Sequence, residues 1–290
     1  MDIIDLALYV DNTLIVSDTH IGYEEALNKQ GILIPRFQFK EIIKRLEKIF
    51  SILKENDKKV EKIIVNGDIK HEFGTISEQE WRHTLQLLDF LAKHCKEVIL
   101  IKGNHDKIIG PIASKRNVKV VEHYIIAEQS DAGGPQIITK RLMSNSTRKI
   151  NKKVSLKELS IKKIKKNDKN SSPSVLLIKG HKNQKILVMH GDKLPNDRLL
   201  KDIDVIIIGH EHPAVSISDW PRVELVKCFL KGKYKGKELI AQPSFNLVAE
   251  GTDVLKEKLL SPFLQQNIDD FEVYAVEDKV YNFGKVRDLR

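Results

Sequence analysis

The apolar positions of this chain follow two rhythms. Five short runs are almost continuously apolar and rich in Ile and Val: LIVSDTH (14–20), IIVNGD (63–68), ILIKGNHD (99–106), ILVMHGD (186–192) and VIIIGHEH (205–212). That composition suits strands buried on both faces, each closed by Gly or a polar turn. Elsewhere the period is three to four. Between Arg36 and Lys54, Phe39, Ile42, Ile43, Leu46, Ile49, Phe50 and Leu53 mark one face of a helix. A second helix is predicted over Glu78–Lys93, with Ser77 and Glu80 spaced as a capping box and Trp81 directed to the core. A short helix follows near Ile108–Lys115. Further strands are predicted in ALYV and TLIVSD around the turn Asp11-Asn12, in VKVVE, in SVLLIKG, and in FEVYAV and KVYNFGKV. The stretch VELVKCFLKGKYKGKELIAQP reads as a hairpin with Gly232 and Gly236 about its turn. Strands alternating with helices predict a layered α/β fold.

The residues that end the five buried runs are the ones that change the picture. They are Asp18 and His20, Asp68, Asn104, His105 and Asp106, His190, and His210 and His212. In open α/β sheets the loops past the carboxyl ends of the strands form the binding crevice, so these side chains are expected to converge. Extended alternation would place Asp18 and His20 on one side, and His210 and His212 likewise. A central Asp68 has two oxygens with which to bridge two cations. Mixed carboxylate, amide and imidazole donors suit Mn²⁺, Fe or Zn²⁺ better than the all-oxygen shells of Mg²⁺ or Ca²⁺. The expectation is two divalent cations, Mn²⁺ first, with Fe, Zn²⁺ or Mg²⁺ as alternatives. Such a pair stabilises both oxygens of an in-line phosphoryl displacement and generates hydroxide at neutral pH. His105 is placed to protonate the departing oxygen, oriented by Asp106 or by a nearby backbone carbonyl. His71, three residues after Asp68, is either a supporting group or a surface turn residue. Glu24 and Arg36 are candidate entrance residues.

Charge adds a separate feature. The net charge is +9 over 290 residues, but Thr139–Asn170 holds twelve Lys and Arg against Glu158 and Asp168, a local +10, so the remainder is close to neutral at −1. Residues from about 129 to 174 are rich in Lys, Asn and Ser and read as one basic insertion into a single 1–290 domain. VSLKELSIKKIKK within it has the pattern of a short basic amphipathic helix. The insertion is either a solvated loop or an arm for nucleic-acid phosphates. Cys95 and Cys228 form no paired motif, the start MDIIDLALYVDN lacks a basic leader, and no apolar run is long enough to span a bilayer. The expectation is a cytoplasmic protein with no membrane partner.

The ordered set Asp18-x-His20, Gly67-Asp68, Gly103-Asn104-His105-Asp106, His190 and Gly209-His210-x-His212 resembles the calcineurin-like metallophosphoesterase superfamily. LIVSDTHIGYE, the Gly31–Pro35–Arg36–Phe37 stretch, GDIKHEFG and CFLKG…PSFN resemble its archaeal SbcD-related and DNA-ligase-associated members. The resemblance implies a two-sheet β-sandwich flanked by helices, in four layers. It implies one metal site from Asp18, His20, Asp68 and His212, and another from Asp68, Asn104, His190 and His210, with His105 aiding the leaving group. The implied activity is hydrolysis of nucleotide or nucleic-acid phosphodiesters. Ile69-Lys70-His71-Glu72 departs from the Asp and Arg that protein phosphatases of the superfamily carry there. About forty residues follow Gly251, too few for the capping domain of its duplex-processing nucleases. The alternative reading is a nucleic-acid-binding or scaffold protein on the same fold, which draws on the basic segment. The complete donor set weighs against it.

Overall fold

The structure is a computed structural model that describes residues 1–74, 76–127, 175–177, 184–219 and 221–290. The expected basic insertion and its short helix, as well as Trp220, lie outside the described residues. In chain order the strands are β1 (Asp2–Ile4), β2 (Ala7–Val10), β3 (Thr13–Ser17), β4 (Lys62–Asn66), β5 (Glu97–Ile101), β6 (Lys119–Val121), β7 (His123–Ile126) and β8 (Val175–Leu177). Then come β9 (Ile186–Met189), β10 (Val205–Ile208), β11 (Pro213–Asp219), β12 (Arg222–Tyr234), β13 (Lys237–Ala241), β14 (Thr252–Asp253), β15 (Glu272–Val276) and β16 (Val280–Lys285). The described helices are α1 (Tyr23–Lys29), α2 (Gln38–Glu55), α3 (Glu78–Ala92), α4 (Gly110–Ser114) and α5 (Asp197–Leu200).

Two mixed sheets form. The first runs β6-β5-β4-β3-β2-β1-β8, and β3 to β6 pair in parallel. The second runs β14-β11-β12-β13-β10-β9-β7, with β15 and β16 added through β12, and β9, β10 and β13 are parallel. The five apolar runs of the sequence are therefore central strands: β3, β4 and β5 in one sheet, β9 and β10 in the other. The alternation within β10 explains why its run has no polar break. Val205 and Ile207 pack with the first sheet's Ile15 and Ile64, whereas Ile206 and Ile208 pack on the opposite face with Phe263 and Phe271. Both faces are dry, and each such side chain contributes about 1.5–3 kcal/mol of burial.

The helical layer is uneven. On the first sheet, α2 presents Ile42, Leu46, Ile49 and Leu53, and α3 presents Leu87, Leu88 and Leu91, to one continuous core. The outer face of the second sheet is covered by α5 and by the irregular segment around Val254, Phe263, Leu264, Ile268 and Phe271. α2 starts at Gln38 because Glu24, buried and not at the entrance, accepts the N–H groups of Phe37 at 2.8 Å and Gln38 at 2.7 Å. α3 has the expected capping box between Ser77 and Glu80. Trp81 packs against the core from its margin, half-buried, with the Lys115 ammonium 4.7 Å from its ring centroid. Gly232 is also not in a turn. It pairs with Leu239 inside β12, where a Cβ would lie 2.4 Å from the Phe271 ring. The turn is made by Lys235 and Gly236, at φ +47° and +79°. Among the described residues no helix is long and apolar enough to cross a membrane.

Candidate metal centre

The five parallel strands end on the same seam between the two sheets, and all nine candidate residues stand there. They do not stand there through extended alternation. Asp18, His20, Asp68, His210 and His212 have φ values between +42° and +66°. This left-handed conformation costs a non-glycine residue on the order of 1 kcal/mol or more, and such strain concentrates at functional sites. Each loop coils at once after its strand, and a coil turns neighbouring side chains apart. Asp18 and His20 still meet one another, together with His212. His210 leaves its neighbour and joins Asp68 and His190. Within each trio, one ligand atom per residue lies within 4.8 Å of the others.

The contacts crowd potential ligand atoms against one another. Asp18 Oδ1 lies 3.4 Å from His212 Nε2 and 3.5 Å from His190 Nδ1, yet both Asp18 Oδ1 and His190 Nδ1 are buried without a hydrogen-bond partner. His20 Nε2 and His212 Nε2 are 3.3 Å apart, and His210 Nδ1 is 3.2 Å from His190 Nε2. Asn104 Oδ1 lies 2.9 Å from His190 Nε2. Asp68 links the trios: its Oδ2 is 3.3 Å from His190 Nε2 and 3.8 Å from His20 Nε2. Buried lone pairs converging in this way are costly unless a proton or cation sits among them. Two carboxylates, an amide oxygen and neutral imidazoles fit a divalent transition metal.

Electrostatics agree with that fit. Burial and the nearby His212 hold His20 well below the ordinary imidazole range, and burial also lowers His210. Burial alone would raise Asp18 and Asp68, but the surrounding histidines outweigh it and lower both. These groups are thus in the ligand form, neutral imidazole and ionised carboxylate. The loops are fixed by bonds that leave the ligand atoms free. Asp18 Oδ2 accepts from Ser17 Oγ at 2.5 Å and from the His210 N–H at 3.0 Å. Asp68 Oδ1 accepts the His105 N–H at 2.8 Å.

The profile of the calcineurin-like phosphoesterase family matches residues 12–232. The chain belongs to that family. No curated protein matches its sequence. Among solved structures, it is similar to Pseudomonas putida nuclease MPE, at 15% identity and a TM-score of 0.51 over 96% of this chain and 92% of that one. It is also similar to Vps29 of Entamoeba histolytica in complex with zinc, at 14% identity and a TM-score of 0.33 over 93% and 96% of the two chains.

His105 and Asp106 divide their tasks. The His105 ring places Nε2 3.9 Å from Asp68 Oδ2, while Nδ1 donates to the His71 carbonyl. Of the two orienting groups considered, the backbone carbonyl is the one in contact. Asp106 braces two loops instead: its Oδ2 accepts the N–H groups of Gly103 at 3.1 Å and Ile69 at 3.3 Å. Burial and the charge of Asp68 push its pKa up to about 6. His71 is not a surface turn residue. Its Nδ1 is 3.4 Å from His20 Nδ1, Tyr23 lies across its ring, and burial together with His105 pushes its pKa down to about 4. The sequence signal for it was its position three residues past Asp68. Phe73, whose ring centroid is 3.6 Å from that of His105, carried no such signal and is 52% exposed at the rim.

Proposed function

We propose that this chain is a binuclear metal-dependent phosphodiesterase acting on nucleotide or nucleic-acid phosphoesters. The observation that carries the reading is the convergence of seven donor side chains from five strand ends in two linked groups. Asp18, His20, Asp68 and His212 would hold one cation, and Asp68, Asn104, His190 and His210 the other. Held there, the ions would supply charge stabilisation at phosphorus and an activated water. Mn²⁺ is the preferred ion on the donor set.

The chain's own residues do the rest. Asp18, His20, Asp68 and His190 are buried, while the side chains of His105 and His212 are 13% and 23% exposed. A phosphoryl group would therefore approach from the open side, where His105 and His212 stand. With Nδ1 donating to a carbonyl, His105 has Nε2 toward the centre, positioned to give a proton to the departing oxygen. The neighbour described as a nuclease and the +10 segment both favour a nucleic-acid end as substrate.

The deciding experiment compares bis(4-nitrophenyl) phosphate with 4-nitrophenyl phosphate under Mn²⁺, Mg²⁺, Zn²⁺ or EDTA. Mn²⁺-supported cleavage of the diester, lost in EDTA, is expected. Turnover of the monoester alone would refute the diester assignment, and full turnover in EDTA would refute metal dependence.

A further inference from the structure

Glu80 does more than cap α3. It is fully buried. Its Oε2 accepts the Ser77 N–H at 2.9 Å, which is the bond a capping box requires. Its Oε1 accepts the N–H of Glu72 at 2.8 Å and shares that of His71 at 3.2 Å, and no helix cap needs either. The Glu72 N–H belongs to the peptide whose carbonyl is that of His71. That carbonyl is the acceptor for His105 Nδ1. One planar peptide thus has a carboxylate at its N–H and an imidazole at its C=O.

We propose that Glu80 is the positioning residue of His105, acting through the His71–Glu72 peptide to hold the ring as its Nδ1-protonated tautomer with Nε2 toward Asp68. The inference rests on the role given to His105 above. A carboxylate pulling on the peptide N–H polarises the unit and makes its oxygen a better acceptor, by roughly 10–30% per bond in a hydrogen-bonded chain.

Three further observations fit this arrangement. The peptide cannot rotate freely, because the buried Lys70 ammonium donates to the Glu72 carbonyl and the His71 N–H also reaches Ile21 O at 3.0 Å. Glu80 itself is confined, because a Cβ on Gly22 would lie 2.1 Å from its Cγ. Asp106, the carboxylate next to His105 in sequence, makes its hydrogen bonds through Oδ2 to the N–H groups of Gly103 and Ile69 instead.

The test separates capping from positioning. Ser77→Ala removes the cap hydroxyl and leaves the Glu72 bond. Glu80→Ala removes both functions. Glu80→Gln keeps an acceptor for Glu72 but sets its amide against the Ser77 N–H. Imidazole ¹⁵N spectra of the metal-free full chain report the His105 tautomer, and bis(4-nitrophenyl) phosphate with Mn²⁺ reports kcat and KM. Expected for Ser77→Ala is a lower Tm, a single Nδ1–H tautomer and unchanged kcat. Expected for Glu80→Ala is a mixed tautomer and a kcat about 10–100-fold lower at unchanged KM and metal content. Glu80→Gln should recover most of that loss. If Glu80→Ala does not fold, Glu80→Asp, too short to reach the peptide, takes its place. A single Nδ1–H tautomer with undiminished kcat in Glu80→Ala or Glu80→Asp would overturn the proposal. Should the wild type itself not cleave the diester, the function assigned above fails, while the tautomer spectra still decide the role of Glu80.

Discussion

His190 binds protons in the opposite sense to the imidazoles around it. Burial opposes its charge, but the hydrogen bond to Asp68 and the charges of Asp18 and Asp68 outweigh burial and push its pKa up to about 9. Without metal it is protonated at neutral pH, so a cation must displace that proton to bind. Affinity should therefore strengthen as pH rises, about tenfold per unit for one displaced proton. It should level off above about 9. Calorimetric titration of EDTA-stripped protein with Mn²⁺ at pH 7, in buffers of different ionisation heat, should record release of about one proton per chain from this residue. A second expectation concerns His105: replacing it by Ala should lower kcat by about 10²–10⁴-fold, most for poor leaving groups, with unchanged metal content by atomic emission. At this scale the residues that converge at the centre were legible, because Asp, His and Asn after a buried run have few other uses in such number. Their left-handed backbone was not legible, because nothing in Asp18-Thr19-His20 distinguishes a coil from an extended end. For that reason alternation misplaces His210 beside His212.

Three of the strand ends meet their neighbours through a glycine. A Cβ on Gly67 would lie 2.0 Å from His190 Nδ1, and one on Gly103 would lie 2.1 Å from Asp68 Oδ1. One on Gly209 would lie 2.0 Å from Ser17 Oγ and 2.4 Å from Asp18 Oδ2. Gly209→Ala should therefore push Asp18 off its position and weaken Mn²⁺ binding at least about tenfold, with about 1–3 kcal/mol lost from overpacking. Calorimetry and chemical denaturation measure the two effects separately. Helices α2 and α3 were legible from their apolar period, and α3 also from its cap. β11 was not, because PAVSISD mixes small and polar residues and is held by pairing with β12 across six residues, Ala214 to Asp219. The cover of the second sheet was also hidden. Val254, Phe263, Leu264, Ile268 and Phe271 follow no period, since an irregular segment buries side chains wherever its turns place them.

Across the whole molecule, the two sheets supply different halves of each trio. β3 and β4 lead to Asp18, His20 and Asp68, and β9 and β10 lead to His190, His210 and His212. Cations held there would cross-link the sandwich. At about 100 times its Kd, each should add about 2.7 kcal/mol of stability, seen as a rise in Tm on adding Mn²⁺ and a fall in EDTA. The two-sheet layering was legible through the family resemblance, but the seam's composition depends on pairings such as Asp18 with His212 that no local pattern encodes. The centre also sets a timetable for the growing chain. Its first-sheet ligands are complete at Asn104, whereas His212 emerges more than a hundred residues later. At about 5–20 residues per second, β3 to β5 wait roughly 5–20 s with their inner face uncovered. A nascent chain stalled in that interval would present four candidate ligands, Asp18, His20, Asp68 and Asn104, to metal and a wide apolar surface to chaperones, and neither would be hidden until β9 and β10 arrive.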